Sequence, residues 1–125
     1  MRSSIMIAIA AVFDVTSAVA QASDACMASV YSDGFNRVLA DGKHHSVDEL
    51  LVAHRTLPFG TIVTITLIDT GATVRAVVRD RGPFVRNRCI DLSRGTARAL
   101  GLASVGRVRI ERVVGDPVGL EASAK

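Results

Sequence analysis

A small barrel built mainly of β-strands, with two short helices, is the fold class this sequence predicts. Apolar residues recur in several short runs bounded by turn residues, and Val, Ile and Thr fill the longest of these, Thr61 to Ile68. No intervening stretch leaves room for helices that cross over between parallel strands. With 125 residues, 49% of them apolar and 22% charged, one compact core is expected.

Taken in order, the chain opens like a secretory signal. Arg2 supplies a short positive region, Ile5 to Phe13 an apolar core, and Ala18-Val19-Ala20 a small-residue cleavage site, with Ala20-Gln21-Ala22 as a second position. The apolar run is too short to span a bilayer. Residues 1–20 are therefore expected to be removed, with cleavage after Ala20 or Ala22, leaving an exported chain with no stable membrane insertion. Export into an oxidising compartment would join Cys26 to Cys89, the only cysteines. Ser23-Asp24-Ala25 lacks the residues a lipid attachment site at Cys26 needs.

Met27 to Tyr31 reads as the first strand and Ser32-Asp33-Gly34 as its turn. Arg37 to Ala40 is a second short strand before Asp41-Gly42. Ser46 and Glu49 fit a capping box, which predicts a short helix to about Ala53 with Leu50 and Leu51 facing the core. Thr61 to Ile68 and Ala72 to Asp80 form a hairpin about Asp69-Thr70-Gly71, the first of them covered on both faces. Alternation in the second strand puts Val74, Ala76, Val78 and Asp80 on one face, with Arg79 and Arg81 directed away. Cys89 to Leu92 is a short strand, Ser93 starts a helix that Gly101 closes, and Gly106 to Val114 is the last strand. Residues 26–114 make the barrel and 115–125 a flexible tail.

The formal net charge of +3 comes almost wholly from arginine, Lys43 and Lys125 being the only lysines. Such a chain suits carboxylate-bearing partners, which guanidinium grips in a two-pronged geometry. The arginines are scattered and no nucleic-acid-binding motif accompanies them, so a nucleic-acid partner is not expected. His44, His45 and His54 have no metal-ligand spacing, and neither metal nor cofactor is expected. His44 and His45 fall on a presumed loop, exposed to solvent.

Read together, ASVYSDG, ADGK, LLVAHRTLPFGT, VVRDRGPFVRNRCIDLS and ARALGL resemble the rare lipoprotein A (RlpA-like) family of septal lytic transglycosylases. The resemblance runs from Ala28 to about Val114. It implies a six-stranded double-psi β-barrel, a periplasmic or secreted location, and peptidoglycan glycan strands as substrate. The barrel type is also similar to that of expansins and of a family of β-glucanases. Asp80 matches the family's catalytic aspartate and His54 its active-site histidine. The family pattern Thr-Ala-Asn-Gly-Glu is altered here at Leu39, Asp41 and Lys43, the last replacing an acidic residue.

A lytic transglycosylase cleaves between N-acetylmuramic acid and N-acetylglucosamine by closing a 1,6-anhydro ring. One carboxyl can protonate the leaving oxygen and then accept the proton of the sugar's 6-hydroxyl, provided its site disfavours the charged form. Asp80 is the expected acid and base, with His54 orienting it or holding substrate. Tyr31 and Phe84 can stack on sugar rings, Arg55 and Arg81 can meet stem-peptide carboxylates, and Lys43 can attract wall carboxylates. Asp91 could supply a second carboxylate for a hydrolytic mechanism, but it reads rather as a cap for the helix at Ser93 and is left outside the catalytic group. A monomer is expected. The alternative reading is a non-catalytic, expansin-like wall-binding module, which the Lys43 departure favours.

Overall fold

A computed structural model describes residues 25–114. The predicted leader and tail, and with them both proposed cleavage positions, lie outside the described residues. Eight strands and one helix follow in order: β1 Cys26–Val30, β2 Asn36–Val38, β3 His44–Ser46, β4 Leu51–Ala53, β5 Ile62–Leu67, β6 Thr73–Asp80, β7 Ile90–Leu92, α1 Arg94–Leu100 and β8 Val105–Arg112. Six strands close a barrel in the order β1-β7-β4-β6-β5-β8, and β2 and β3 form a separate hairpin. β1 runs parallel to β7, and β4 parallel to β6.

The hairpin of β5 and β6 follows from its own sequence. Apolar residues alternate inward at Val63, Ile65 and Leu67, all buried, while β-branched Ile62, Thr64 and Thr66 are half-buried on the outer side. The outer face is thus only partly covered. Gly71, at φ 77°, closes the turn and donates its amide to Leu67 O. Ala76 and Val78 of β6 meet these residues in one core with Ala28, Val52, Ile90, Leu92, Leu100 and Val108. A disulfide joins Cys26 to Cys89 with their Cα atoms 6.0 Å apart, tying the start of β1 to the approach of β7.

The second helix that the sequence predicts, over Ser46 to Ala53, does not form. The capping box is made locally, since the Glu49 carboxylate accepts from the Ser46 amide and the Ser46 hydroxyl from the Asp48 amide. A helix would then need the carbonyls of residues 47, 49 and 51 for its own ladder. Here Gly95 N donates to Val47 O, Ser93 Oγ to Glu49 O and Thr96 Oγ1 to Leu51 O. Leu51 to Ala53 instead becomes β4, between β6 and β7. Tertiary pairing overrides a local start signal.

Close approach of α1 to this turn depends on Gly95, where an added Cβ would stand 2.2 Å from Asp48 O. The helix itself is capped as predicted, by Ser93 Oγ accepting from Thr96 N and by left-handed Gly101. No helix among the described residues is long and apolar enough to cross a membrane.

A candidate two-carboxylate active site

Four strands bring one row of residues together on the outside of the barrel. Ser29 of β1 is opposite Asp91 of β7, Asp91 is opposite Ala53 of β4, and Ala53 is opposite Asp80 of β6. The register between β4 and β6 shifts between Val52 and Ala53, and such a bulge re-aims the side chains beyond it. The Asp80 carboxylate accordingly leaves the inner face predicted from parity with Val78. Oδ2 accepts from the Tyr31 hydroxyl at 2.6 Å and Oδ1 from Ala40 N at 3.1 Å.

Tyr31 is fixed from behind. Its ring meets the edge of buried Phe35, with centroids 4.9 Å apart, in a second apolar cluster with Leu39 and Leu51. Burial, and then the Asp80 carboxylate, push the phenol far above its usual range. It therefore stays a donor. Neither Arg79 nor Arg81 pairs with Asp80: Arg79 Nε lies 3.9 Å from Asp41 Oδ2, and Arg81 donates to the carbonyls of His54 and Leu57.

Asp91 does not cap α1; Ser93 does. Since Ile90 and Leu92 point into the core, Asp91 must point outward, towards Ser29. Its Oδ1 is buried without a hydrogen-bond partner. Burial first, and then the charges of Asp80 and Asp33, raise its carboxyl to about 6, with the Ser29 hydroxyl and Leu92 amide pulling the other way. Strand alternation in Cys-Ile-Asp-Leu was the available signal for this residue, and the serine two positions on masked it by suggesting a cap.

His54 follows β4, and its amide donates to Asp80 O at 3.2 Å, so the two residues stand side by side at one end of the parallel pair. Its Nδ1 accepts from Thr56 N and Leu57 N at 3.2 and 3.1 Å. A nitrogen that accepts two amides carries no proton, which leaves Nε2 as the donor. Burial, then Arg81 and Arg55, lower its affinity for a proton. The imidazole is thus neutral and fixed in one tautomer.

Arg55 and Arg81 do other work than the carboxylate contacts the sequence suggests. Arg55 donates to the carbonyls of Pro83, Val85 and Arg88, and Arg81 also lies over the Phe59 ring at 4.0 Å. They hold together the two polar loops at the mouth of the site. Phe84, beside the cis Gly82-Pro83 peptide, is 82% exposed. Lys43 lies exposed in the turn before β3, its amide bonded to Asp41 Oδ1.

His45 is the other departure. It is 7% exposed, and its ring nitrogens contact Asp41 Oδ2 at 2.8 Å and Glu49 Oε1 at 3.3 Å, whereas His44 is exposed as expected. Among the described residues no cluster of His, Cys, Asp and Glu is arranged to hold a metal ion.

Comparisons with known proteins show the family and the fold. The family model described as lytic transglycolase matches residues 23–112. The probable endolytic peptidoglycan transglycosylase RlpA of a Synechocystis species is 47% identical over 90 residues, which is 70% of this chain and 28% of that protein. Its namesake from Treponema pallidum is 42% identical over 91 residues, 72% of this chain and 29% of the other. This chain thus spans under a third of the length of these relatives. Among solved structures, the apo expansin of Clavibacter michiganensis superposes with a TM-score of 0.57 at 25% identity, covering 74% of this chain and 50% of that one. A Streptomyces papain inhibitor superposes at 0.56 and 22% identity, covering 77% of this chain and all of the other, and shares the fold.

Proposed function

Because the chain belongs to the double-psi β-barrel family of lytic transglycolases, we propose that it cleaves peptidoglycan glycan strands between N-acetylmuramic acid and N-acetylglucosamine, leaving a 1,6-anhydro end. The observation that carries this reading is the unequal carboxyl pair. Asp80 has both oxygens occupied by donors, while Asp91, with one buried and unpartnered oxygen, is raised to about 6. A carboxyl raised towards neutral pH, beside another whose oxygens are held by donors, is what acid catalysis next to a developing cation requires.

In this mechanism Asp91, rather than the Asp80 suggested by the motif, gives its proton to the leaving glycosidic oxygen as the bond from the muramic C1 breaks. Positive charge gathers on C1 and the ring oxygen, and the Asp80 carboxylate offsets it. The 6-hydroxyl of the same sugar then bonds to C1, and its proton returns to Asp91. No water is consumed. His54 offers Nε2–H to a sugar oxygen, and Phe84 offers an exposed ring for stacking.

Such a protein would act as a monomer in the periplasm or after secretion, without a cofactor. A wall-binding module of expansin type is the second reading, favoured by exposed Lys43. Incubation with intact sacculi and with stem-free glycan, followed by mass spectrometry, separates the two. Anhydro-muropeptides lost on Asp91→Asn support the enzyme. Retention on sacculi without such products supports the module.

A further inference from the structure

The Asp80 carboxylate takes its second donor from outside the barrel. Ala40 N, which donates to Oδ1 at 3.1 Å, belongs to the turn between β2 and β3, and those strands form a two-stranded sheet apart from the barrel. Every residue of β2 is exposed. Phe35 and Leu39 dock the hairpin through their cluster with Leu51, but apolar contact is non-directional and does not aim an amide. The aim comes from the turn.

That turn is built around the side chain of Asp41, which is 3% exposed. Oδ1 accepts from Lys43 N at 3.0 Å, and Oδ2 lies 2.8 Å from His45 Nε2 and 3.9 Å from Arg79 Nε. A carboxylate only accepts, so Nε2 donates in that contact. Burial opposes the charge on Asp41, yet the Lys43 amide, the His45 ring and Arg79 outweigh it and hold the carboxyl below its ordinary range. A buried charged pair contributes little net stability over apolar packing of the same volume. What this one supplies is direction. Asp41 N donates to Arg79 O at 3.2 Å, so the consecutive amides of Ala40 and Asp41 lie along the last two residues of β6.

We propose that Asp41 is a positioning residue of the active site: clamped by the Lys43 amide and the His45 ring, it holds the Ala40 amide on Asp80 Oδ1 and keeps that carboxylate aimed at the sugar. The proposal rests on the glycan-cleaving reading for the role of Asp80. A carboxylate freed at Oδ1 turns about its own bond and offsets the developing charge less well. His45 is the second part of the device, joining the turn to β3 and, with Nδ1 3.3 Å from Glu49 Oε1, to the capping box at Ser46. The Asp41 carboxylate is buried and touches no sugar. Its loss should therefore slow turnover and leave substrate binding as it was.

The test follows the amide and the reaction separately. Hydrogen exchange by NMR compares the wild-type protein with Asp41→Ala and Asp41→Asn. In Asp41→Ala, exchange at Ala40 should quicken by about 10-fold or more, while Val78 N, bonded to Thr61 O in the barrel, keeps its rate. On glycan strands kcat should fall about 10-fold with KM unchanged. Asp41→Asn keeps the shape of the side chain and an acceptor for Lys43 N, so it should recover most of both. Unchanged exchange at Ala40 would overturn the proposal, as would full turnover once that amide is free, or a rise in KM alone. Should Asp41→Ala fail to fold, His45→Met removes the donor to Oδ2 and keeps a side chain that fills the space. It should quicken Ala40 exchange by about threefold or more, and no change there would count equally against the clamp. A wild-type protein that yields no anhydro product would sink the transglycosylase reading, and exchange at Ala40 would still decide whether Asp41 aims the amide.

Discussion

The Tyr31 hydroxyl donates to Asp80 Oδ2 at 2.6 Å, joining the end of β1 to the end of β6 across 49 positions of sequence. It fixes one oxygen of Asp80 while Ala40 N holds the other. Tyr31→Phe keeps the ring on Phe35 and removes only the donor. Cleavage of glycan should fall about 10- to 100-fold, with a stability loss of about 1.5 to 3 kcal/mol, as expected for a hydrogen bond to a charged group. Turnover and thermal unfolding, measured together, check this.

Asp91→Asn should separate activity from stability. Loss of the acid should lower turnover by about 100-fold or more. Folded Asp91 keeps its proton to about 6, whereas the ordinary value is 3.8. Between those values the native state binds more protons than the unfolded one, so wild-type stability falls as pH rises through the window and stays reduced above it. The asparagine variant lacks this penalty. Its gain at neutral pH should be on the order of 1 kcal/mol, allowing for solvent screening of a half-exposed group, and should vanish near pH 4. Melting curves across this range decide it.

Phe84→Ala should leave stability within about 0.5 kcal/mol, because a ring 82% exposed packs little. Retention on glycan should weaken by roughly 2- to 10-fold if the ring stacks on sugar. Co-sedimentation with sacculi reads the effect, and unchanged retention would remove Phe84 from the site.

Arg55 donates to the Pro83, Val85 and Arg88 carbonyls, and a single ammonium does not reproduce that fork. Arg55→Ala should cost about 1 to 3 kcal/mol and open the 83–88 loop to proteases. Arg55→Lys should rescue little of this. Limited proteolysis followed by mass spectrometry locates the cuts.

Sequence legibility divides along the reach of the interactions. The β5–β6 hairpin was readable because its turn, alternation and pairing are local, and α1 because Ser93 and Gly101 cap it. The stretch from Ser46 to Ala53 misled because its capping box is satisfied, while distant Ser93, Gly95 and Thr96 take the carbonyls that a helix needs. His45 looked like a loop residue, yet it is buried between Asp41 and Glu49, contacts that only the folding of β3 against its turn creates. Motif resemblance located Asp80 and His54 at one end of the barrel. Asp91 was legible as a possible second carboxylate but was read as a helix cap, because the row that joins it to Ser29, Ala53 and Asp80 crosses four strands and lies in no local window.

The central claim is that Asp91 still holds a proton near the pH at which glycan is cleaved. Carboxyl carbon-13 NMR of the wild-type protein, titrated from acid to neutral pH, measures this directly. A midpoint for Asp91 at about 6, matched by an alkaline decline in turnover, is the predicted result. A midpoint at the ordinary 3.8, with turnover undiminished above neutrality, would contradict it.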